Sequence, residues 1–345
     1  LITSRLGISP VSKNVIDAAI QYANEHAIQL MLTASRNQVD CKALGGGYIG
    51  LSTFEFIDYV KSRSKGNLLL CRSHAGSYQA EESKKHIGNN LAMELAIHSI
   101  EQDINAGFDL IHINCSLTDD VYSRTHELVQ QAQNFASEHN RKIYFEVTFE
   151  ENLGVVSDFQ KFRRSLEFIA EFLQPEFVVG QTGSLVKELA QVGSFAEKEV
   201  AQLVALSHEF GFKFKEYSVD YASPEALQLR KQAGVDAINI GSEFGVEQSK
   251  LTIELAEQYG LDAELSQFLD YAIMSEKWRK WILENPDARE LALMAGHYIF
   301  ADKQYQNLVG KLADYEDIDK AINNRIATLI EYYLSPFHKE IGVKA

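Results

Sequence analysis

Along the first 245 residues, apolar and polar positions follow two alternating rhythms. Short runs rich in β-branched and aromatic residues are each followed by a longer stretch with apolar residues three and four apart, so strand and helix alternate. Strands are predicted over 7–11, 28–34, 68–74, 109–115, 142–148, 176–181, 213–218 and 236–241. Helices are predicted over 12–26, 53–63, 90–106, 119–139, 159–173, 195–210 and 224–233. Start signals support two of them: Ser52-Thr53-Phe54-Glu55 reads as a capping box, and Ser223-Pro224 as an N-cap followed by proline in the first turn. A helix-end glycine turn is used twice, in Ala106-Gly107-Phe108-Asp109 before the fourth strand and Ala233-Gly234-Val235-Asp236 before the eighth.

Eight such units in about 245 residues predict an α/β fold, a (β/α)8 TIM barrel over 1–260 with a C-terminal helical extension over 261–345 packed on it. A doubly wound open sheet is the alternative. The barrel is preferred because polar residues cluster at the C-terminal ends of nearly every strand, where a barrel builds its site, instead of at one switch point.

Those strand ends supply the candidate chemistry. By the period-two rule Leu70, Arg72 and His74 share a face, as do His112 with Asn114 and Tyr144 with Glu146 and Thr148. Gln181 ends the sixth strand, and Asn239 interrupts the eighth. His74, His112 and Glu146, joined by Glu216 or Asp220, form a mixed nitrogen and oxygen set suited to a divalent cation, Zn or Mn/Mg. His74, Glu146 and Glu216 are the expected ligands, and Glu146, Asp220 and His112 the expected catalytic groups. A strand histidine can equally be a satisfied core residue. Gly45-Gly46-Gly47-Tyr48-Ile49-Gly50 and Gly241-Ser242-Glu243-Phe244-Gly245 are candidate anion loops, because small residues at a helix start let backbone N–H groups approach a phosphate. Glu243 argues against the second.

Composition narrows the partners. With 48 acidic against 33 basic residues the net charge is −15, which opposes nucleic acid or anionic membrane and requires any anionic substrate to find a local basic pocket. Cys41, Cys71 and Cys115 form no C-x-x-C pair and are expected as small buried side chains in a reducing, cytoplasmic compartment. No apolar run approaches the roughly 18–20 residues of a membrane span. A start at Leu1 without methionine, almost directly into strand-like sequence, suggests that some N-terminal residues have been trimmed or left out.

The set Gly7-Ile8-Ser9-Pro10-Val11, Ala34-Ser35-Arg36-Asn37-Gln38-Val39, Gly46 to Gly50, Ser73-His74-Ala75-Gly76, Ile111 to Asn114, Glu146-Val147, Ser218-Val219-Asp220-Tyr221, Asn324-Arg325-Ile326 and Tyr332-Tyr333 resembles the tagatose-1,6-bisphosphate aldolase accessory-subunit family. These are barrel proteins related to class II ketose-bisphosphate aldolases, and the resemblance spans nearly the whole chain. It implies a TIM barrel, and either support of a class II aldolase partner or metal-dependent epimerisation of ketose phosphates. Where the family usually has Gly-Gly-Asp-His, Cys71-Arg72-Ser73-His74 keeps the histidine but loses the acid. His-Leu-Asp becomes His112-Ile113-Asn114, Ala-His-Ser becomes Glu216-Tyr217-Ser218, and a strand-eight lysine becomes Asn239.

Arg36 and Arg72 replace small residues of the family, and their guanidinium forks suit carboxylate or phosphate. They are expected to bind substrate together with Asn37, Gln38, Asn114, Gln181, Asn239, Gly241 and Ser242. The expectation is therefore a metal-dependent aldolase- or epimerase-type enzyme acting on an anionic sugar or sugar phosphate, with a homo-oligomer or a class II aldolase as possible partner. The alternative is a non-catalytic subunit stabilising such an aldolase.

Overall fold

The computed structural model describes residues 2–80, 87–284 and 286–338. Its strands are β1 (Leu6–Ile8), β2 (Leu30–Ser35), β3 (Leu68–Ala75), β4 (Leu110–Asn114), β5 (Tyr144–Thr148), β6 (Phe177–Val179), β7 (Val186–Lys187), β8 (Ala190–Gln191), β9 (Lys213–Glu216) and β10 (Ala237–Ile240). All but β7 and β8 close a parallel barrel in the order β1-β10-β9-β6-β5-β4-β3-β2. The eight predicted strands are thus the eight barrel strands. The pair β7–β8, a small antiparallel hairpin between β6 and the next helix, was not anticipated.

Seven helices alternate with the barrel strands: α1 (Lys13–His26), α2 (Thr53–Lys61), α3 (Asn89–Ala106), α4 (Val121–Glu138), α5 (Phe159–Ala170), α6 (Glu197–Glu209) and α7 (Pro224–Gln232). Sequence-local chemistry starts them where expected. Ser52 and Glu55 complete their capping box, and Ser223 accepts from the N–H of Ala226 with Pro224 in the first turn. In α5 the buried Phe162, Leu166 and Ile169 stand four and three residues apart, the stripe that lets a helix lie on a sheet. After β10 the chain continues as α8 (Ser242–Gln258), α9 (Asp262–Met274), α10 (Ala288–Ala295), α11 (Lys303–Leu312) and α12 (Ile318–Leu334). Helix α12 packs on α1 and α8, burying Ile322, Ile326, Ile330 and Tyr333. Among the described residues no helix is long and apolar enough to cross a membrane.

Two apolar regions result. The larger lies between strands and helices; the smaller, Ile2, Met31, Cys71, Leu110, Phe177 and Ala237, fills the barrel lumen. Cys41, Cys71 and Cys115 are buried free thiols. Two glycines let backbones approach closely. A Cβ on Gly7 would stand 2.2 Å from Asn239 Oδ1, and one on Gly76 would stand 1.7 Å from the carbonyl oxygen of Asn114.

Candidate functional site

The lumen residues set which strand face is inward. Cys71 faces the lumen, so Leu70 and Arg72 face the helices, and the period-two rule would send His74 outward with them. Instead the β3–β4 register slips between Arg72 and Ala75, and His74 takes a left-handed φ of 51°. The bulge returns the His74 side chain to the barrel mouth, where it lines the cavity beside Ser73.

Above the apolar lumen layer, Lys215 Nζ lies 2.7 Å from Glu146 Oε2, with both side chains fully buried. His112 is paired in register with Glu146, and its Nδ1 lies 3.4 Å from Glu146 Oε1. Burial, followed by the neighbouring Lys215 charge, holds His112 well below the usual imidazole pKa, so the ring is neutral. Its Nε2, like Glu146 Oε1, has no hydrogen bond.

The rings of His74, His112 and Tyr217 form a triangle, with centroids 5.0 to 5.2 Å apart. The Tyr217 hydroxyl is held in the protonated form by burial and by the charge of Glu146. Asn114 orients His74. Its Oδ1 accepts from Ser116 N and Oγ, so its Nδ2 donates to His74 Nδ1 at 2.7 Å, which leaves that ring nitrogen unprotonated.

Two cavities open on this triangle. The first, about 190 Å³, is lined by Ser35, Asn37, Gln38, Asn239, Gly241 and Ser242, with Asp220 at its edge and Tyr48, Trp281 and Tyr298 at its rim. The second, about 270 Å³, is lined by His112, Asn114, Thr148, Glu150 and Gln181. His74, Tyr217 and Ser218 line both and form the wall between them. The structure therefore brings His74, His112, Asn37, Gln38, Asn114, Gln181, Asn239, Gly241 and Ser242 to one barrel mouth, with Glu146 beneath.

Three assignments, Arg72, Arg36 and Glu216, need correction. Arg72 does not reach the mouth: it points into the strand–helix layer, where Nε and Nη2 each lie 2.6 Å from Asp103 of α3, and Nη1 donates to the carbonyls of Ala34 and Val39. The outward face tolerates an arginine because α3 supplies its counter-ion. Arg36 is likewise buried, its Nε 2.8 Å from Asp40 Oδ2. The two guanidinium groups are structural counter-ions and make no anion-binding wall.

Glu216 also faces outward. It accepts from Arg230 of α7, Thr182 and Ser184, on the opposite side of β9 from the inward-facing Lys215. Asp220 caps α8: its Oδ1 accepts from the N–H groups of Gly241 and Glu243, each at 2.9 Å. Burial raises its pKa despite those bonds.

The expected ligands His74, Glu146 and Glu216 do not converge on one point. Glu146 is neutralised by Lys215, Glu216 lies outside the lumen paired with Arg230, and His112 Nδ1 accepts from the His74 backbone N–H at 3.4 Å. Among the described residues no three His, Cys, Asp or Glu side chains converge as a coordination set.

Sequence reasoning missed Lys215, Trp281 and Lys280. The run Lys213-Phe214-Lys215-Glu216 carried a signal, since a strand that alternates basic and non-basic positions can place lysine in the lumen. Trp281 and Lys280 come from the segment between α9 and α10, and nothing local ties them to a strand end. The hairpin holds that segment in place: Glu188 N–H donates to the Trp281 carbonyl, and Lys187 Nζ to that of Lys280.

A closed (β/α)8 barrel with a polar, divided mouth defines the class. Residues 4–143 match the model of the D-tagatose-1,6-bisphosphate aldolase subunit GatZ/KbaZ-like family, so the resemblance read from the sequence holds across β1 to β4 and the helices between them. Among solved structures the fold is shared with a probable tagatose 6 phosphate kinase from Sinorhizobium meliloti 1021, at 16% identity and TM-score 0.79 over 96% of this chain and 100% of that one. It is shared also with the fructuronate-tagaturonate epimerase UxaE from Cohnella laeviribosi, at 14% identity and TM-score 0.63 over 99% and 82%. The fructose-bisphosphate aldolase of Campylobacter jejuni is similar at 11% identity and TM-score 0.60 over 97% and 89%. At these identities the likeness establishes the fold.

Proposed function

We propose that this chain is a carbohydrate-recognising, non-catalytic subunit that supports a class II tagatose-bisphosphate-type aldolase. The family resemblance over residues 4–143 supports a place in sugar-phosphate metabolism. The observation that carries the non-catalytic role is the buried Lys215–Glu146 pair, which occupies the lumen beneath the mouth where an electrophile and its base would have to act. Aldol cleavage needs a Lewis acid or Schiff-base lysine at the carbonyl and a base beside it. Here the inward lysine and carboxylate neutralise each other, while Asp220 and Glu216 are tied to α8 and Arg230.

The test is reconstitution. Adding the chain to a class II tagatose-bisphosphate aldolase should give a stoichiometric complex and lengthen the half-life of aldolase activity severalfold, and His74→Ala should leave that effect intact. The chain alone should release no triose phosphate. Turnover of a ketose phosphate by the isolated chain, abolished by His74→Ala or by chelation, would overturn the reading.

A further inference from the structure

Barrels of this kind commonly seat a substrate phosphate on the backbone N–H groups after the seventh and eighth strands, at the start of the following helix. In this chain two of those donors are taken. The N–H groups of Gly241 and Glu243, at the head of the 17-residue helix α8, both bond to one oxygen of the buried Asp220 carboxylate at 2.9 Å. The occupant is held firmly. Ser218 and Tyr221, on either side of Asp220, adopt left-handed φ values of 60° and 61°, strained for side chains of their kind, and the turn they form inserts the carboxylate into the helix end. A second carboxyl, Glu243, lies beside it and accepts from the Tyr221 N–H at 2.6 Å and from the Tyr333 hydroxyl.

The rest of the mouth offers an anion little compensation. Arg36 and Arg72 are locked to Asp40 and Asp103 away from both cavities. Among the described residues, Lys280 is the one lysine or arginine lining either cavity; it is exposed, and its ammonium sits over the Trp281 and Tyr298 rings at 5.0 and 5.1 Å. What does line the first cavity are serine hydroxyls, the amides of Asn37, Gln38 and Asn239, and aromatic rings. Hydroxyls and amides both donate and accept, which matches a polyol, and ring faces suit the C–H surface of a sugar. At about 190 Å³ this cavity falls below the roughly 300 Å³ at which drug-sized sites begin, so its ligand is small.

We propose that the barrel mouth binds an uncharged, unphosphorylated polyhydroxylated ligand, a free sugar or sugar alcohol, and that the Asp220 carboxylate in the helix-α8 cradle excludes the phosphorylated form. The inference rests on the reading of the mouth as a carbohydrate site but is independent of whether the chain supports an aldolase. An occupied cradle turns the usual attraction into repulsion: a phosphate would have to expel a buried carboxylate from two hydrogen bonds or sit against two acids.

The experiment is calorimetric titration of the full chain, with tryptophan fluorescence as a second readout because Trp281 lines the cavity. The probes are D-tagatose and galactitol as neutral ligands, and D-tagatose 6-phosphate and inorganic phosphate as anionic ones. At least one neutral probe should bind, with tagatose 6-phosphate about tenfold weaker or more than tagatose, and inorganic phosphate should not compete. Asp220→Asn should narrow that gap. If Asp220→Asn fails to fold, Glu243→Gln, which removes the second acid and leaves the cap in place, should narrow it in part. Equal or tighter binding of tagatose 6-phosphate, competition by inorganic phosphate, or no binding of either neutral probe would each overturn the inference. None of these results would touch the aldolase reconstitution, which stands or falls on its own assay.

Discussion

Replacing Arg72 with alanine tests the reassignment of that residue from ligand contact to buried counter-ion. The guanidinium makes two 2.6 Å contacts with Asp103 and donates at 3.0 and 2.7 Å to the carbonyls of Ala34 and Val39, with no solvent access to either charged side chain. Truncation leaves Asp103 buried and unpaired near Asp40, and removing one member of such a pair costs about 3–5 kcal/mol. Unfolding entropy of about 2.1 cal/mol/K per residue over 345 residues converts this to a fall in melting temperature of roughly 4–7 °C. Burial already raises the Asp103 pKa and Arg72 opposes that rise, so the variant's deficit should shrink at low pH, where Asp103 takes up a proton. Arg72→Lys keeps the charge but loses the planar fork, and should fall between wild type and alanine. The double change Arg72→Met with Asp103→Leu should recover much of the loss. Thermal and urea unfolding followed by circular dichroism, alongside sugar titration, reads all four proteins. An Arg72→Ala protein that melts like wild type yet loses sugar affinity would refute the assignment.

Lys215→Met should destabilise the fold by a similar few kcal/mol, because the Glu146 carboxyl would be left buried without its partner, and adding Glu146→Gln should restore part of it in urea denaturation. Glu243, pushed up to about 7 by burial and then by the Asp220 charge, keeps its proton longer folded than unfolded. Its contribution to stability should therefore fall as pH rises from about 4.5 to about 7, by roughly 3 kcal/mol at most, and level off above; Glu243→Gln should flatten that part of the profile of melting temperature against pH.

The sequence alone settled the number and order of the barrel strands, the seven intervening helices, and the caps at Ser52 and Ser223. Each is written locally, in apolar spacing or in a hydrogen bond spanning three residues. It also brought His74, His112, Asn114, Gln181 and Asn239 to one end of the barrel, since strand ends in parallel order must share a rim. Which side of a strand looks inward was not written in the same way. Barrel strands are buried on both faces, so alternation tells which residues are companions but not whether helix or lumen receives them.

Tertiary structure made that choice through partners far along the chain. Asp103 takes Arg72 and Arg230 takes Glu216, drawing both charges outward, while Glu146 and Lys215 meet across the lumen. One bulge breaks the period and returns His74 to the mouth. The turn from Ser218 to Tyr221 delivers Asp220 into a helix end that glycine and position alone would have assigned to phosphate. A charge enters the interior only with its counter-charge, and the distance between the two along the chain is invisible to any local pattern.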